Sequence, residues 1–277
     1  MGDRNCLHFS LWCISIAGLL AVSFAIGCGG SSTTNPPLPV PAINGNFSIT
    51  ATSLGTSGLN FFGGAVQTDS SGHVTGTVHV NGSFFLCFGI QLDLPLAGAI
   101  DSTGKLNATI TSSNGQTITL NGQVSPNGSF LSGGTYTGSG TGCASGDHGT
   151  ISGFQVQPFS GAYSGAFSPA PATTVNFAIT LAQSTTADSH GRFAFAPATA
   201  AITGGTACGL ASATLDTALS EASGNTMALA LLGSDGITSV TFVGITTDGT
   251  TKAVPGQFNI NSGPCIGQAG LAVLSHP

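Results

Sequence analysis

The chain has 277 residues, room for two ordinary domains, with 41% hydrophobic and only 5% charged residues and 42 glycines. Four Lys and Arg against ten Asp and Glu give a formal net charge of −6, too few cations to neutralise a run of phosphates, which argues against nucleic-acid partners and against electrostatic docking on an anionic membrane. The apolar share is too high and the charge too sparse for disorder, and a single Glu (Glu221) with so few Lys and Arg speaks against helical surfaces and for an all-β protein.

In chain order, the first segment is an apolar leader over residues 1–27. Its core, "LWCISIAGLLAVSFAIG" at 11–27, carries no acidic or basic residue, and Arg4 precedes it. Such a segment reads as a secretory signal, although its length approaches the ~20 residues of a membrane-spanning helix. It ends in "AIGC" at 25–28. These residues resemble the lipobox of bacterial lipoproteins, with Ala25 standing where Leu is commonest. The resemblance covers the leader through about residue 40 and extends to bacterial lipoproteins with Gly/Ser/Thr-rich β-domains of no assigned activity. It implies that Ala25, Ile26 and Gly27 form the signal peptidase II recognition site. It further implies that Cys28 takes a thioether-linked diacylglycerol and becomes the mature amino terminus, so that the partner at this end is a membrane. Gly29, where an Asp would favour the inner membrane, implies the outer membrane if the envelope has two. The alternative is cleavage after Ala25, which gives a secreted protein.

Residues 28–42, "CGGSSTTNPPLPVPA", form a flexible Gly/Ser/Thr tether followed by a stiffer Pro-rich spacer. An anchored domain needs such a spacer to stand clear of the headgroups.

From residue 43 the pattern changes to alternation. In "HVTGTVHV", Val74, Val78 and Val80 share one face and Thr75, Thr77 and His79 the other. Leu106, Ala108 and Ile110 align in "KLNATITS", as do Ile118, Leu120 and Val124 in "TITLNGQV". Period-two patterns with one apolar face predict half-buried antiparallel strands. Turn signals separate them: Asp-Ser-Ser-Gly, Asp-Ser-Thr-Gly, Asn114-Gly115, Asn127-Gly128, Asp235-Gly236 and Asp248-Gly249. About eight strands are expected in residues 43–157. With short connections they form a meander that closes into a small barrel. A two-sheet sandwich is the runner-up.

Residues 158–277 repeat this unit. "GNFS" at 45–48 matches "GAYS" at 161–164, "DSSGH" at 69–73 matches "DSHGR" at 188–192, and "DSTGK" at 101–105 matches "EASGN" at 221–225. Gly134 and Tyr136 match Gly256 and Phe258. All lie at offsets of 116 to 122 in the same order, the signature of an internal duplication. The stretch 214–232, "TLDTALSEASGNTMALALL", looks helical, but its Ser-Gly-Asn break falls where the first unit has a strand turn.

The duplication also selects a cysteine pairing. Cys87 and Cys143 are 56 apart, Cys208 and Cys265 57 apart. Of the three possible connectivities, equivalent bonds in equivalent units give Cys87–Cys143 and Cys208–Cys265, as an oxidising compartment allows. The spacing suits no metal, and no cofactor motif is present.

No catalytic constellation stands out: the chain has no Gly-x-Ser-x-Gly, no HExxH and no P-loop. The D-S-x-G stretches read as turns. "GDHG" at 146–149 sets Asp147 beside His148, and neighbours on a loop tend to face apart. His79 reads as a solvated histidine on a polar strand face, and His73 and His190 sit in turns. The expected function is therefore non-enzymatic: a lipid-anchored envelope protein with a structural, adhesive or binding role. The alternatives are a carrier holding a small apolar ligand inside a barrel, and an envelope hydrolase built from His73, His148, Asp147, Asp188 and a serine.

Overall fold

Alternation and turn chemistry together build the fold. In the computed structural model, residues 39–55, 59–82, 93–140, 145–168 and 174–276 are described. Eight strands follow in order: β1 (Asn44–Ser53), β2 (Leu59–Thr68), β3 (His73–Gly82), β4 (Asp93–Ile100), β5 (Lys105–Thr111), β6 (Thr117–Val124), β7 (Phe130–Ser139) and β8 (His148–Gln155). Each pairs antiparallel with the next, and β8 pairs back onto β1, with Ala51 opposite Ile151, to close a barrel. The barrel, rather than the sandwich, is the architecture. Val74, Val78, Val80, Leu106, Ala108, Ile110, Ile118, Leu120 and Val124 all point inward and are buried, as the period of two requires. Register shifts at Asn121/Gln123 in the β6–β7 pairing and at Leu131/Gly134 in the β7–β8 pairing bend these strands.

Two hairpin turns of this barrel and one turn of the second share one geometry. Asp69 and Asp101 each accept two backbone N–H bonds on Oδ1, from Ser71 and His73 and from Thr103 and Lys105. Asp188 does the same in the second barrel, for His190 and Arg192. An aspartate capping its own turn holds the hairpin register. Residues 39–42 then cross one end of the first barrel, over the turns at Gly72, Gly104 and Gly128. A Cβ on Gly128, whose φ is +73°, would lie 1.9 Å from the Ala42 carbonyl oxygen, so only glycine fits there.

The second barrel has β9 (Gly161–Phe167), β10 (Val175–Leu181), β11 (Phe193–Ala194), β12 (Thr199–Thr203), β13 (Ser212–Leu215), β14 (Glu221–Ser223), β15 (Thr226–Gly233), β16 (Ser239–Ile245), β17 (Ala253–Ile260) and β18 (Ala269–Ser275). Eight of these close a ring through the β15–β16 and β18–β9 pairings. Two short strands, β14 and β11, extend it beyond β15, making ten where about eight are expected. The stretch 214–232 is strand and hairpin, as its break indicates. Strands β1 and β9 open their barrels with the matched "GNFS" and "GAYS", and Tyr136 and Phe258 are both fully buried.

The ring of Phe258 centres the second core. It stacks on Phe167 at 4.3 Å and meets Phe242 at 4.9 Å and Phe177 edge-on at 6.0 Å, contacts worth about 0.5–1.5 kcal/mol each beyond their buried area. Cys208, in a 3-10 turn between β12 and β13, bonds Cys265, between β17 and β18. Closing that 57-residue loop contributes about 4 kcal/mol on the chain-entropy view. Cys87 and Cys143, like Ala25, Ile26, Gly27 and Cys28, lie outside the described residues. Among the described residues no helix is long and apolar enough to cross a membrane.

Candidate functional site at the seam between the barrels

The third copy of the Asp-Ser-x-Gly turn does more than reverse the chain. The 188–192 turn closes through Asp188 N–H to Arg192 C=O (2.8 Å) and Gly191 N–H to Asp188 C=O (3.1 Å). Its tip presses on the outer wall of the first barrel, where the Gly191 carbonyl accepts the Ala65 N–H at 3.1 Å. A Cβ on Gly191 would stand 2.2 Å from the Thr77 carbonyl oxygen, so the close approach requires glycine. A second contact forms at the β14–β15 turn. Gly224 and Gly63 meet backbone to backbone, a Cβ on Gly63 lying 2.6 Å from the Gly224 Cα. Asn46 Nδ2 donates to the Gly224 carbonyl (2.8 Å), and Ser223 Oγ donates to the Gly63 carbonyl (2.9 Å).

Docking this turn brings the chain's scarce charges together. Asp93 starts β4 directly opposite His79 on β3. Its Oδ1 lies 2.9 Å from His79 Nδ1 and 3.4 Å from Arg192 Nη2, and its Oδ2 lies 2.6 Å from His190 Nδ1. Arg192 Nη1 reaches Glu221 Oε2 at 2.9 Å. Burial pushes the His79 imidazole below its ordinary value, and Asp93 opposes that shift only in part. The Arg192 guanidinium is held above its ordinary range by Glu221 and Asp93, against the cost of its own burial. His79 does occupy the polar outer face of β3, yet the second barrel covers it, so it is half-buried and paired rather than solvated. A recess of about 110 Å3 lies beside His79 and Glu221. A wider cleft of about 610 Å3 opens on the other side of the 188–192 turn. Gln67, Thr75, Thr77, Thr185 and Thr186 line it, and its one charged group, Asp188, is occupied by its own turn.

The residues of the hydrolase alternative are not brought together. Asp147 is buried and accepts Tyr136 Oη (2.7 Å) and Ser53 Oγ (2.6 Å). Ser53 also accepts the Gly55 N–H. His148 faces away, its Nδ1 3.3 Å from the Gly146 carbonyl. His73 pairs with Asp69 on an exposed turn. Of His73, His148, Asp147 and Asp188, only Asp147 reaches a serine among the described residues, and that serine donates to a carboxylate instead of facing a base. The carrier alternative fares no better in the first barrel. The void among Ile43, Phe47, Val66, Leu96 and their neighbours is about 10 Å3, smaller than a water molecule's share of volume and far below a ligand cavity.

No protein-family model matches the chain, and no curated protein matches it. Among solved structures the chain is similar to a crystal structure of a protein of unknown function, of the DUF3598 family, from Nostoc punctiforme. Identity is 11%, covering 85% of this chain and 94% of that one, with a TM-score of 0.21. A likeness at that TM-score carries no argument about site or activity.

Sequence reasoning missed the seam. Its constituents were visible as His79, His190, Arg192 and Glu221, the last only as a turn landmark, but Asp93 carried no motif. The available signal was rarity: Arg192 is one of three cations after residue 27 and Glu221 the sole glutamate.

Proposed function

We propose that the protein is a lipid-anchored, non-enzymatic component of the bacterial cell envelope that displays two β-barrels on a short tether and binds through the cleft at their seam. The observation that carries this reading is how the titratable side chains are used. Asp69, Asp101 and Asp188 cap turns, Asp147 ties Tyr136 to Ser53, and Asp93, His79, His190, Arg192 and Glu221 clasp one barrel to the other. These groups organise the scaffold and leave a cleft lined mainly by hydroxyl and amide groups between the barrels, the usual place for a binding site. The Cys208–Cys265 disulfide is consistent with export. The "AIGC" sequence and the Gly/Ser/Thr/Pro tether support the anchor at Cys28 and placement in the outer membrane of a two-membrane envelope.

The test is acyl-chain labelling in expressing bacteria. Wild type incorporates labelled palmitate and Cys28→Ser does not. Equal labelling of the two would remove the anchor.

A further inference from the structure

The outer wall of the second barrel over β16, β17 and β18 is apolar. Val243 and Ile245 on β16 stand 45% and 39% exposed, and Leu271 and Val273 on β18 stand 84% and 48% exposed. Strand β17 lies between them, with Gln257 opposite both Val243 and Leu271, and Pro255 opposite Val273. Ala166 and Thr247 complete an open groove of about 780 Å3 whose lining carries no charge. The first barrel's β5 shows the contrasting alternation of a solvated wall. Its outward positions are Lys105, Asn107, Thr109 and Thr111.

The wall also begins where the chain enters the first barrel. The 248–249 turn joining β16 to β17 rests on the end of β8, and Gln157 N–H donates to the Gly249 carbonyl at 2.9 Å. Gln155 Nε2 donates to the carbonyl of Asn44, the first residue of β1, at 2.7 Å. Phe130, 56% exposed, is directly opposite Phe154. The Phe154 ring lies 2.9 Å from where a Cβ on Gly249 would stand. The end of the wall at the 248–249 turn therefore lies beside the strand ends at which the chain enters the first barrel.

We propose that the β16–β18 wall is a membrane-contact face that rests on the bilayer holding the anchor. The inference depends on the anchor reading at Cys28. Eleven residues, 28–38, lie between the acylated end and the described residues, a span of at most ~36 Å fully extended. A tether of that reach keeps the entry point, and the wall beside it, close to the headgroups. An uncharged aliphatic face suits the acyl boundary, where binding scales with buried apolar area, and gives little to a partner that pairs charges. Anchor and wall together supply the two attachments that make membrane binding durable and fix the orientation of the barrels.

The experiment uses the mature, acylated protein isolated from bacteria expressing Leu271→Trp, bound to vesicles of phosphatidylethanolamine and phosphatidylglycerol with brominated acyl chains. Trp12, the chain's single tryptophan, leaves with the leader, so the introduced ring is the whole signal. Flotation reads the anchor and quenching reads the wall. The expected result is flotation with loss of most of the fluorescence at position 271. Val273→Trp should behave alike, while Leu219→Trp, on the β13–β14 connection, stays bright. Flotation with position 271 unquenched overturns the wall and leaves the anchor standing. Failure to float overturns both. Equal quenching at 271 and 219 overturns the orientation, and a Leu271→Cys variant that cross-links to itself on vesicles while Trp at 271 stays bright shows a second copy on the face instead.

Discussion

Tyr136 donates its hydroxyl proton to a buried carboxylate, Asp147, which also holds Ser53. Burial is the first cause, and the bond to Asp147 the second, that pushes the phenol up to about 12. A tyrosine whose folded value lies above its ordinary 10 is stabilised in the neutral form. Its contribution is complete below pH 10 and is lost as pH rises from about 10 through about 12. Alkaline titration followed by circular dichroism should show the first barrel losing stability in that window. Tyr136→Phe should shrink that alkaline step and leave the part due to Tyr163 in the second barrel, whose phenol is also pushed up by burial. It should also lower stability at neutral pH by about 1–3 kcal/mol in urea unfolding, because Asp147 loses a buried donor. An unchanged alkaline limb in Tyr136→Phe would remove this role from Tyr136.

At the scale of elements, the strands of the first barrel were legible because one face of each is buried and the other is not. That contrast writes a period of two into β3, β5 and β6. The Asp-Ser-x-Gly turns were legible because a self-capping aspartate and a glycine serve the hairpin locally. Strands β11 and β14, of two and three residues, are too short to show a period. The docking of the 188–192 turn was illegible for a different reason: its local hydrogen bonding is the same as in its copy at 69–73. What differs is His190 in place of Ser71 and Arg192 in place of His73, and their partners lie far along the chain, Asp93 97 residues from His190 and Glu221 29 residues from Arg192. Arg192→Ala should therefore leave the hairpin intact while leaving Asp93 and Glu221 without their guanidinium. A loss of about 1–3 kcal/mol is expected, together with faster proteolysis at the 156–160 linker. The wild-type seam should also weaken on acidification. His79, buried and held below its ordinary 6.5, contributes fully above that value and loses its contribution as pH falls below it. The groups facing it are Asp93, Arg192, Glu221 and Asp188. Wild-type and variant linkers cut at equal rates at pH 5 and pH 7.5 would show that the charges do not hold the barrels together.

At the scale of the molecule, two barrels share a seam, and the first is entered by a segment laid across its end. The duplication is visible in the order of landmarks, and it predicts the Cys208–Cys265 bond that the second barrel forms. The whole-molecule features beyond it, the cleft and the apolar wall, come from how outer faces meet, which alternation within one strand does not encode. The account turns on the chemistry of residue 28. Mass spectrometry of the mature amino-terminal peptide from the native membrane fraction tests it most directly. The expected peptide begins at Cys28 with a diacylglycerol on its sulfur, and a mature chain beginning at an unmodified residue would contradict the account.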